Sequence, residues 1–428
     1  MSGELLKEFQ SAYRNLELLP LVEAKELDRF RVDYSNEIIE DLEQLVEDSP
    51  SANSKIIFTG HRGCGKSTLL AEFGRRLADR YFVIFFSISD TIEMSDVNHI
   101  NILFAIAVNL MEEAEKNQIK ISNSAKENFH RWFATKTKID TKASGSDSFD
   151  LNLFNIIKLK LKAEASVREE IKQEFRNNIS DLVARINEIA AIIYGDTKKD
   201  VLVMIDDLDK LDLAVAKEIY YDHIKALFQP NFRMILTIPV AALREVRLIT
   251  TIETEANNQI VPMSVAKLFA KGENRLPDAV PIPQTMAILS DVLSKRIPSK
   301  LIEPQAANQI IIRSGGLLRE LIRIANECCK ICLLLLRRDP QRTDIKIDNS
   351  ILQEAIKKLR LNLSVRLGSA DYEMLQTVYQ KNMPNDPKEQ RFLDLLHDLY
   401  VLEYRNDRVW YDVHPIVVDL LKERGLIK

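Results

Sequence analysis

The chain has 428 residues, a formal net charge of −4 and four cysteines, and 46% of its residues are hydrophobic. This length suffices for two or three domains with sizeable cores, and the charge gives no sign of a polycation that binds nucleic acid. The cysteines lack a matched second ligand pair, so we expect thiols in a reducing cytosol and no zinc. No apolar leader and no bilayer-length run are present, which predicts a cytoplasmic protein without membrane contact.

The first predicted element is an acidic, helical N-terminal segment over residues 1–50. The apolar, β-branched run at 55–59 then predicts a buried parallel strand. Similar runs at 81–88, 201–205 and 232–238 predict three more strands. Because these strands alternate with helical stretches, the pattern predicts a parallel α/β sheet.

A helical insertion is predicted between the second and third strands, over about residues 100–195. It begins with a long, mostly apolar helix at 100–115. Residues 136–163 combine a Ser/Gly-rich centre with period-two alternation around Leu159 and Leu161. That pattern is compatible with an inserted hairpin or a mobile loop.

The most specific motif, GHRGCGKS, follows the first strand and matches G-x-x-x-x-G-K-[ST] at every position. Its glycines let bare backbone N–H groups approach an anion, and the helix that follows adds its N-terminal dipole. Lys66 is expected to reach the β- and γ-phosphates of a nucleotide, and Ser67 to ligate Mg²⁺. The predicted nucleotide-binding residues of the loop are Gly60, His61, Arg62, Gly63, Cys64, Gly65, Lys66, Ser67 and Thr68.

A second motif, VLVMIDDLDKL, places Asp206 and Asp207 after a buried strand, at the end where open α/β sheets bind ligands. Asp206 is expected to hold, through water, the Mg²⁺ that Ser67 ligates. Asp207 is expected to act catalytically, as the base or the water-orienting carboxylate in attack on the γ-phosphate. The alternative is an acidic turn with no catalytic role. For Asp209 the sequence leaves two roles open, a charged surface residue or the N-cap of a helix.

Two further polar residues are candidate catalytic sensors of the γ-phosphate. Thr237 ends the fourth strand, and its alternative role is that of an ordinary strand-end threonine. Arg319 lies in the first turns of the helix after Gly315 and Gly316, from which a lid could bring it to the phosphate. Its alternative is a solvent-facing helical arginine, with Arg313 as the substitute sensor.

Together, GHRGCGKST, VLVMIDDLD, Thr237 and SGGLLRE resemble the additional-strand P-loop ATPases, the group that holds the AAA+ proteins and the STAND switch ATPases. The resemblance implies an α/β fold. Its P-loop NTPase core has three α/β/α layers with a five-stranded parallel sheet of order 5-1-4-3-2, and a helical lid follows. It covers about residues 28–336 in pattern and is specific only at the two phosphate-site motifs. Guanine-recognition motifs are not evident, so the implied ligands are ATP or ADP with Mg²⁺.

The chain departs from that pattern in two ways. The lid motif has the arginine typical of AAA+ lids and lacks the proline typical of STAND lids. No arginine finger stands out among Arg233, Arg244 and Arg247.

The C-terminal region has the order helix, helix, short hairpin, helix, with a turn signal at Asn406-Asp407, and resembles a winged helix. The stretch YDVHPIVVDLL is similar to the segment of STAND winged helices in which a histidine touches the phosphate of bound ADP. This resemblance implies that His414 is a nucleotide-binding residue, and a capping or core histidine is the alternative. From Gly368 onward, eight basic residues stand against eleven acidic ones, which argues against specific DNA binding.

The predicted domains are an N-terminal helical segment (1–50), the ATPase core (51–282), the lid (283–366) and the winged helix (367–428). The predicted function is an ATP-binding, slowly hydrolysing switch that ATP opens or assembles and ADP holds compact. It would act through a separate protein partner and as a nucleotide-dependent homo-oligomer, and by analogy alone in bacterial signalling or defence. The alternatives are an AAA+ DNA-associated loader or initiator and a P-loop small-molecule kinase.

Overall fold

The computed structural model describes residues 2–139, 150–405 and 408–428, without the side chains of residues 2 and 150–152. The described residues form two compact units. The first, called here the sheet unit, comprises Glu37–Thr59 and Leu70–Pro262. The second, called the lid unit, comprises Met1–Asn36, Gly60–Leu69 and Met263–Lys428. The predicted domain boundaries remain predictions.

Five strands form one sheet, in the spatial order β2-β3-β4-β1-β5. The sheet order 5-1-4-3-2 and the P-loop NTPase fold class are therefore confirmed. β5 was not predicted from its own residues. The strands are β1 Lys55–Gly60, β2 Tyr81–Ser87, β3 Asp200–Asp206, β4 Arg233–Pro239 and β5 Ile260–Met263.

The helices follow in chain order. They are α1 Ser2–Asn15, α2 Ala24–Phe30, α3 Asn36–Glu47, α4 Lys66–Leu77, α5 Ile88–Thr91, α6 His99–Lys116, α7 Asn123–Lys136, α8 Asp150–Ala163, α9 Ala165–Phe175, α10 Ile179–Thr197, α11 Leu213–Lys217, α12 Ile224–Leu227, α13 Val246–Glu255, α14 Pro283–Ser294, α15 Pro304–Arg313, α16 Leu318–Arg338, α17 Asn349–Ser364, α18 Ser369–Lys381, α19 Gln390–His397 and α20 Pro415–Glu423.

The centre of the sheet is buried on both faces. β1 and β4 are buried at every position, as expected for parallel strands covered by helices. β2 and β4 both run parallel to β3, with Ser87 opposite Asp206 and Ile205 opposite Leu236. The carboxyl ends of these three strands therefore lie at one edge of the sheet, where the acidic motif ends β3.

The insertion is helical, and one prediction about it was wrong. α6 confirms the long apolar helix, and it packs against α10. Residues 150–163 form α8, not a hairpin or loop. The side chains at Leu153, Phe154, Ile157 and Leu161 are buried on one helical face, while Leu159 is 68% exposed. Residues 140–149, which hold the Ser/Gly-rich centre, lie outside the described residues.

The lid unit has its own core, in which α16 packs against α1, α14, α15 and α17. Three cysteines of α16, Cys328, Cys329 and Cys332, are fully buried free thiols. Burial raises the pKa of Cys329 to about 12 and also raises the pKa of its two neighbours. Buried thiols of this kind are inert, so they serve packing.

The C-terminal part of the lid unit has the predicted order helix, helix, hairpin, helix. After α18 and α19, the strands β6 Val401–Arg405 and β7 Val409–Val413 pair antiparallel, and α20 follows. This is the arrangement of a winged helix. The predicted turn at Asn406-Asp407 lies outside the described residues. In the parts of the chain that the structure describes, no helix is both long enough and apolar enough to cross a membrane.

Candidate nucleotide-binding site

The glycine-rich loop connects the end of β1 to the start of α4, as the motif predicts. Gly63 has φ 81° and Gly65 has φ 107°, conformations that side chains rarely adopt. A Cβ atom at Gly63 would lie 2.5 Å from the Cβ of Arg319. Glycine is therefore needed at this position both for the backbone and for the close approach of the lid helix α16.

Lys66 is turned onto its own loop. Its Nζ donates to the carbonyl oxygens of Gly60 and His61, both at 2.8 Å, and the residue is only 4% exposed. A buried ammonium group needs such acceptors. Phosphate oxygens are stronger acceptors than neutral carbonyls, so the loop fits the anion that its motif predicts.

The remaining loop residues lie within the same short segment. Cys64 is buried, and Ser67 is half-buried at the start of α4. The hydroxyl of Thr68 accepts a hydrogen bond from the backbone N–H of Leu21 at 3.0 Å. The N-terminal segment thereby contacts the loop through Thr68.

The lid helix contacts the loop directly. The backbone N–H of Arg319 donates to the carbonyl oxygen of Gly63 at 3.0 Å, so the structure brings the predicted sensor to the loop. The substitute Arg313 is paired with both carboxylate oxygens of Asp419, one of them at 3.1 Å. That pairing favours Arg319 over Arg313 as the residue for a phosphate role.

The winged helix also contacts the loop, which sequence reasoning missed. His61 Nε2 accepts a hydrogen bond from the backbone N–H of Glu403 at 2.7 Å, so the proton of this imidazole lies on Nδ1. The guanidinium of Arg62 donates to His397 Nε2 at 2.8 Å. The only signal in the sequence was that His61 and Arg62 place large polar side chains at loop positions where the motif accepts any residue.

His414 lies at the start of α20 and is 2% exposed. Its Nδ1 accepts the N–H of Ile416 at 3.2 Å, and its Nε2 lies 3.6 Å from a carboxylate oxygen of Glu320. Burial acts to raise the pKa of Glu320, but His414 and Arg323 together hold that pKa below its ordinary value. These contacts are those of a capping histidine. The contact with ADP remains a prediction.

In the sheet unit, Asp207 follows β3 with a left-handed backbone, φ 68°. One carboxylate oxygen accepts the hydroxyls of Ser87 and Ser89 at 2.7 and 2.8 Å, and the other pairs with Lys210 at 2.6 Å. Burial acts to raise the pKa of Asp207, but these hydrogen bonds hold it below its ordinary value. Asp207 is therefore a fixed anion.

The acidic turn can supply ligands to a hard cation. Asp206, Asp207 and Asp209 are all buried, and one carboxylate oxygen from each lies within 4.8 Å of the others. Carboxylate oxygens are the protein ligands that Mg²⁺ prefers, so the residues fit the predicted ion. Asp209 is 5% exposed and lies inside a short 3₁₀ turn, Leu208–Lys210. Both alternatives considered for Asp209, a surface charge and a helix cap, were wrong.

Thr237 is fully buried and braces the acidic turn. Its hydroxyl accepts the N–H of Leu208 at 3.0 Å and donates to the carbonyl oxygen of Ile205 at 3.3 Å. The hydroxyl of Tyr220 donates to the carbonyl oxygen of Thr237 at 2.8 Å. The side chain thus holds the backbone on both sides of Asp206, and its contact with a γ-phosphate remains a prediction.

One of the three arginines considered as a finger is committed to a structural contact. Arg233 begins β4, at the opposite end from the acidic turn. It donates to the carbonyl oxygen of Val46 at 2.8 Å and pairs with Asp200 at 3.2 Å. Arg233 therefore ties α3 to the amino end of the sheet.

The glycine-rich loop after β1, the acidic pair at the end of β3 and the sheet order define a P-loop NTPase of the additional-strand type, the type that includes the AAA+ proteins. Within this class, residues 35–244 match the KAP family P-loop domain.

No curated protein matches the sequence. Among solved structures, the chain is similar to Cdc6p from Pyrobaculum aerophilum at 11% identity and a TM-score of 0.40, covering 95% of this chain and 97% of that one. It is also similar to Orc1 from Aeropyrum pernix, solved in complex with DNA, at 13% identity and a TM-score of 0.38, covering 95% and 96%. Likenesses at this level do not establish a shared function.

Proposed function

We propose that this protein is an ATP-binding, slowly hydrolysing switch in which the winged helix and the lid respond to the phosphate loop. One observation carries the proposal: the loop is hydrogen-bonded to the winged helix through His61 and Arg62. A third bond, from Arg319 to Gly63, joins the loop to the lid. A nucleotide that rearranges this loop must therefore change contacts with both elements.

The two roles of Lys66 provide the coupling. Its Nζ is held by the carbonyl oxygens of Gly60 and His61, and reaching the β- and γ-phosphates requires it to leave them. The carbonyl oxygen of His61 then loses its hydrogen bond from Lys66. The imidazole ring of the same residue accepts the hydrogen bond from the N–H of Glu403. Binding at the loop and docking of the winged helix are thus linked equilibria, each affecting the other by the same free energy.

The catalytic assignment follows the two motifs. We assign the phosphates to Lys66 and the loop N–H groups, and Mg²⁺ to Ser67 and Asp206. When bound, this ion neutralises charge on the β- and γ-phosphates. Arg319 serves as the sensor that reports loss of the γ-phosphate. Thr237 holds the turn that carries Asp206.

Asp207 is assigned to orienting water rather than accepting a proton. Its lowered pKa and its bonds from Ser87, Ser89 and Lys210 make it a weak base. A general base works best with a pKa near the operating pH. A weak base at this position is consistent with slow turnover, which suits a switch.

We also propose that the nucleotide is ATP and not GTP, that the protein is cytoplasmic, and that a separate protein partner receives the signal. We further propose a homo-oligomer that assembles with nucleotide state. The absence of guanine-recognition motifs from the sequence supports ATP. The cytoplasmic location is supported by the four cysteines, which are all buried and form no disulfide. Mass photometry with ADP, ATP and a slowly hydrolysed analogue tests assembly, and a single mass under all three conditions would contradict it.

The switch is tested from the winged-helix side, where the variant leaves the loop itself intact. His397→Ala removes the acceptor of Arg62. In the proposed switch ADP holds the compact form, in which Arg62 bonds to His397. Hydrogen bonds to charged groups contribute about 1.5–3 kcal/mol, so loss of this bond should let a fluorescent ADP analogue leave roughly tenfold to a hundredfold faster. Stopped-flow displacement measures this rate.

Gln390→Ala is the matched control, because Gln390 is an exposed residue of the same helix and its side chain donates to Asp394, a neighbour on that helix. It should release the nucleotide at the wild-type rate. If His397→Ala melts like the wild type and also releases ADP at the wild-type rate, the winged helix does not respond to the loop and the proposal fails.

A further inference from the structure

A cleft of about 410 Å³ lies within the lid unit, between the end of α15 and the winged helix. Its volume falls in the range of small-molecule sites. The polar and aromatic side chains that line it include Arg275, Arg313, Tyr379, Trp410, Lys422 and Lys428.

Aromatic rings form one part of the wall. Tyr404 and Trp410 stack with their ring centres 4.5 Å apart and an interplanar angle of 18°. The guanidinium of Arg275 lies 4.2 Å from the centre of the Tyr379 ring. Rigid ring surfaces of this kind provide contact area for a flat ligand at low cost in conformational entropy.

The acidic residues of the cleft are already neutralised. Asp412 accepts hydrogen bonds from Arg275 at 2.7 Å, from Asn274 at 2.8 Å and from the N–H of Val413 at 2.9 Å. Asp419 is paired with Arg313. Neither carboxylate is therefore left to attract a cation.

Two cations remain at the cleft. Lys422 and Lys428 are exposed, and neither has a carboxylate partner among the residues that the structure describes. With Arg275 and Arg313 offset by Asp412 and Asp419, the side chains that line the cleft have a positive balance. Such a balance favours a negatively charged group beside the rings.

We propose that this cleft binds a small organic anion that carries a flat ring, the chemical class to which nucleoside monophosphates belong. The ring would pack against Tyr379 and Trp410, and the anionic group would face Lys422 and Lys428. Preformed apolar walls with a few placed charges are the usual composition of such sites.

Occupancy of the cleft is linked to the phosphate loop. The hydroxyl of Tyr404, a lining residue, donates to the carbonyl oxygen of Gly315 at 2.7 Å, and Gly315 precedes the helix whose Arg319 contacts the loop. Tyr404 also follows Glu403, the donor to His61. An effector in the cleft would therefore change nucleotide affinity at the loop. This regulatory step rests on the proposed function, whereas binding in the cleft does not.

The test is calorimetric titration of the full-length Lys66→Ala protein with AMP, because that substitution is expected to remove uptake by the phosphate loop. We expect one AMP per chain. Adenosine and inorganic phosphate should each bind more weakly than AMP, since each offers one half of the recognised chemistry. A second arm uses the wild-type protein saturated with ADP, which keeps the test valid if Lys66→Ala fails to fold.

The variants separate this cleft from any other site. Lys422→Glu with Lys428→Glu should weaken AMP binding at least about tenfold, and Tyr379→Ala should act in the same direction while Tyr379→Phe retains binding. Lys388 is an exposed lysine of the winged helix that does not line the cleft, so Lys388→Glu should leave the affinity for AMP unchanged.

Absence of AMP binding in both arms would overturn the proposal. So would AMP binding that survives the lysine and Tyr379 substitutions. Equal affinities for AMP and inorganic phosphate would show that no ring is recognised. Failure of the wild type to bind ADP would contradict the proposed function and leave the Lys66→Ala arm to decide on the cleft.

Discussion

Asp207 combines a backbone conformation that is unfavourable for most residues with a carboxylate that has three partners. Its left-handed φ of 68° costs about 1–3 kcal/mol for most side chains, but aspartate and asparagine tolerate it. Asp207→Asn should therefore fold and bind ATP. It should lose turnover by about 10²-fold or more, because the amide lacks the charge that orients the water. Phosphate release under single-turnover conditions measures this loss.

Asp222→Asn is the control for that substitution, since Asp222 is an exposed aspartate of the same unit. It should leave turnover unchanged. Near-normal hydrolysis by Asp207→Asn would remove Asp207 from the catalytic assignment.

His414 has two competing roles with different consequences. If His414 serves as the cap of α20 and the partner of Glu320, His414→Ala should lower the free energy of unfolding by about 0.5–2 kcal/mol in every nucleotide state. His414→Asn should retain most of the stability, because asparagine also caps helices. Thermal unfolding with and without ADP measures both. A faster ADP release without a change in melting temperature would instead support the predicted contact with ADP.

The stability that His414→Ala loses should depend on pH, because the partner of His414 is the carboxyl group of Glu320. The folded-state pKa of this carboxyl is lowered, so its interaction with His414 stabilises the protein above the ordinary glutamate pKa of about 4.3. The contribution is lost as the pH falls through the lowered value. The stability difference between wild type and His414→Ala should therefore shrink in acid, and a constant difference would contradict the pair.

Residues defined by local chemistry could be predicted from the sequence, and residues defined by distant partners could not. Lys66 and Asp206 follow from motifs that span a few positions. The partners of His61 and Arg62 lie 342 and 335 positions away, and no local pattern encodes such a separation. The same holds for Thr237, whose bond to Leu208 depends on how β3 and β4 pair.

At the scale of elements, continuous apolar runs identified β1 to β4 because both faces of those strands are buried. β5 was not predicted because it has only four residues, contains Pro262 and is half-buried at alternate positions. The stretch that forms α8 was predicted to be a hairpin or loop because Leu159 and Leu161 are two positions apart, a spacing typical of strands. Only Leu161 faces the core, so Leu159 is an exposed apolar residue of a helix.

The turn before α16 has little room for side chains. Gly316 has φ 85°, and a Cβ atom there would lie 1.8 Å from the carbonyl oxygen of Ala266. Gly316→Ala should therefore displace the start of α16 and the bond from Arg319 to Gly63. We expect a destabilisation of more than about 2 kcal/mol and weaker nucleotide binding, measured by chemical unfolding and ADP titration.

Gly195→Ala is the opposite case within helix α10, where an added Cβ meets nothing within 4 Å. Gly195 lies in the last turn of α10, so the substitution should stabilise the protein by at most about 0.5–1 kcal/mol, because alanine loses less backbone entropy than glycine in a helix. Equal effects of the two substitutions would show that the turn at Gly316 is not constrained.

At the scale of the molecule, charge argues against a DNA loader. The stretch from Gly368 onward has more acidic than basic residues, and helix α19 carries the exposed Asp394. Duplex binding requires neutralising several phosphates, so the full chain should show at most weak, salt-sensitive binding. Fluorescence anisotropy with a labelled duplex measures this. Submicromolar affinity at physiological salt would favour the loader.

The central claim is that the loop from Gly60 to Ser67 binds the phosphates of ATP, and calorimetric titration of ATP with Mg²⁺ tests it most directly. We predict one ATP per wild-type chain and no measurable binding by Lys66→Ala, because the phosphates lose the cation that now rests on the loop carbonyls. Lys388→Ala should bind as the wild type does. ATP binding by a folded Lys66→Ala protein with wild-type affinity would contradict the account.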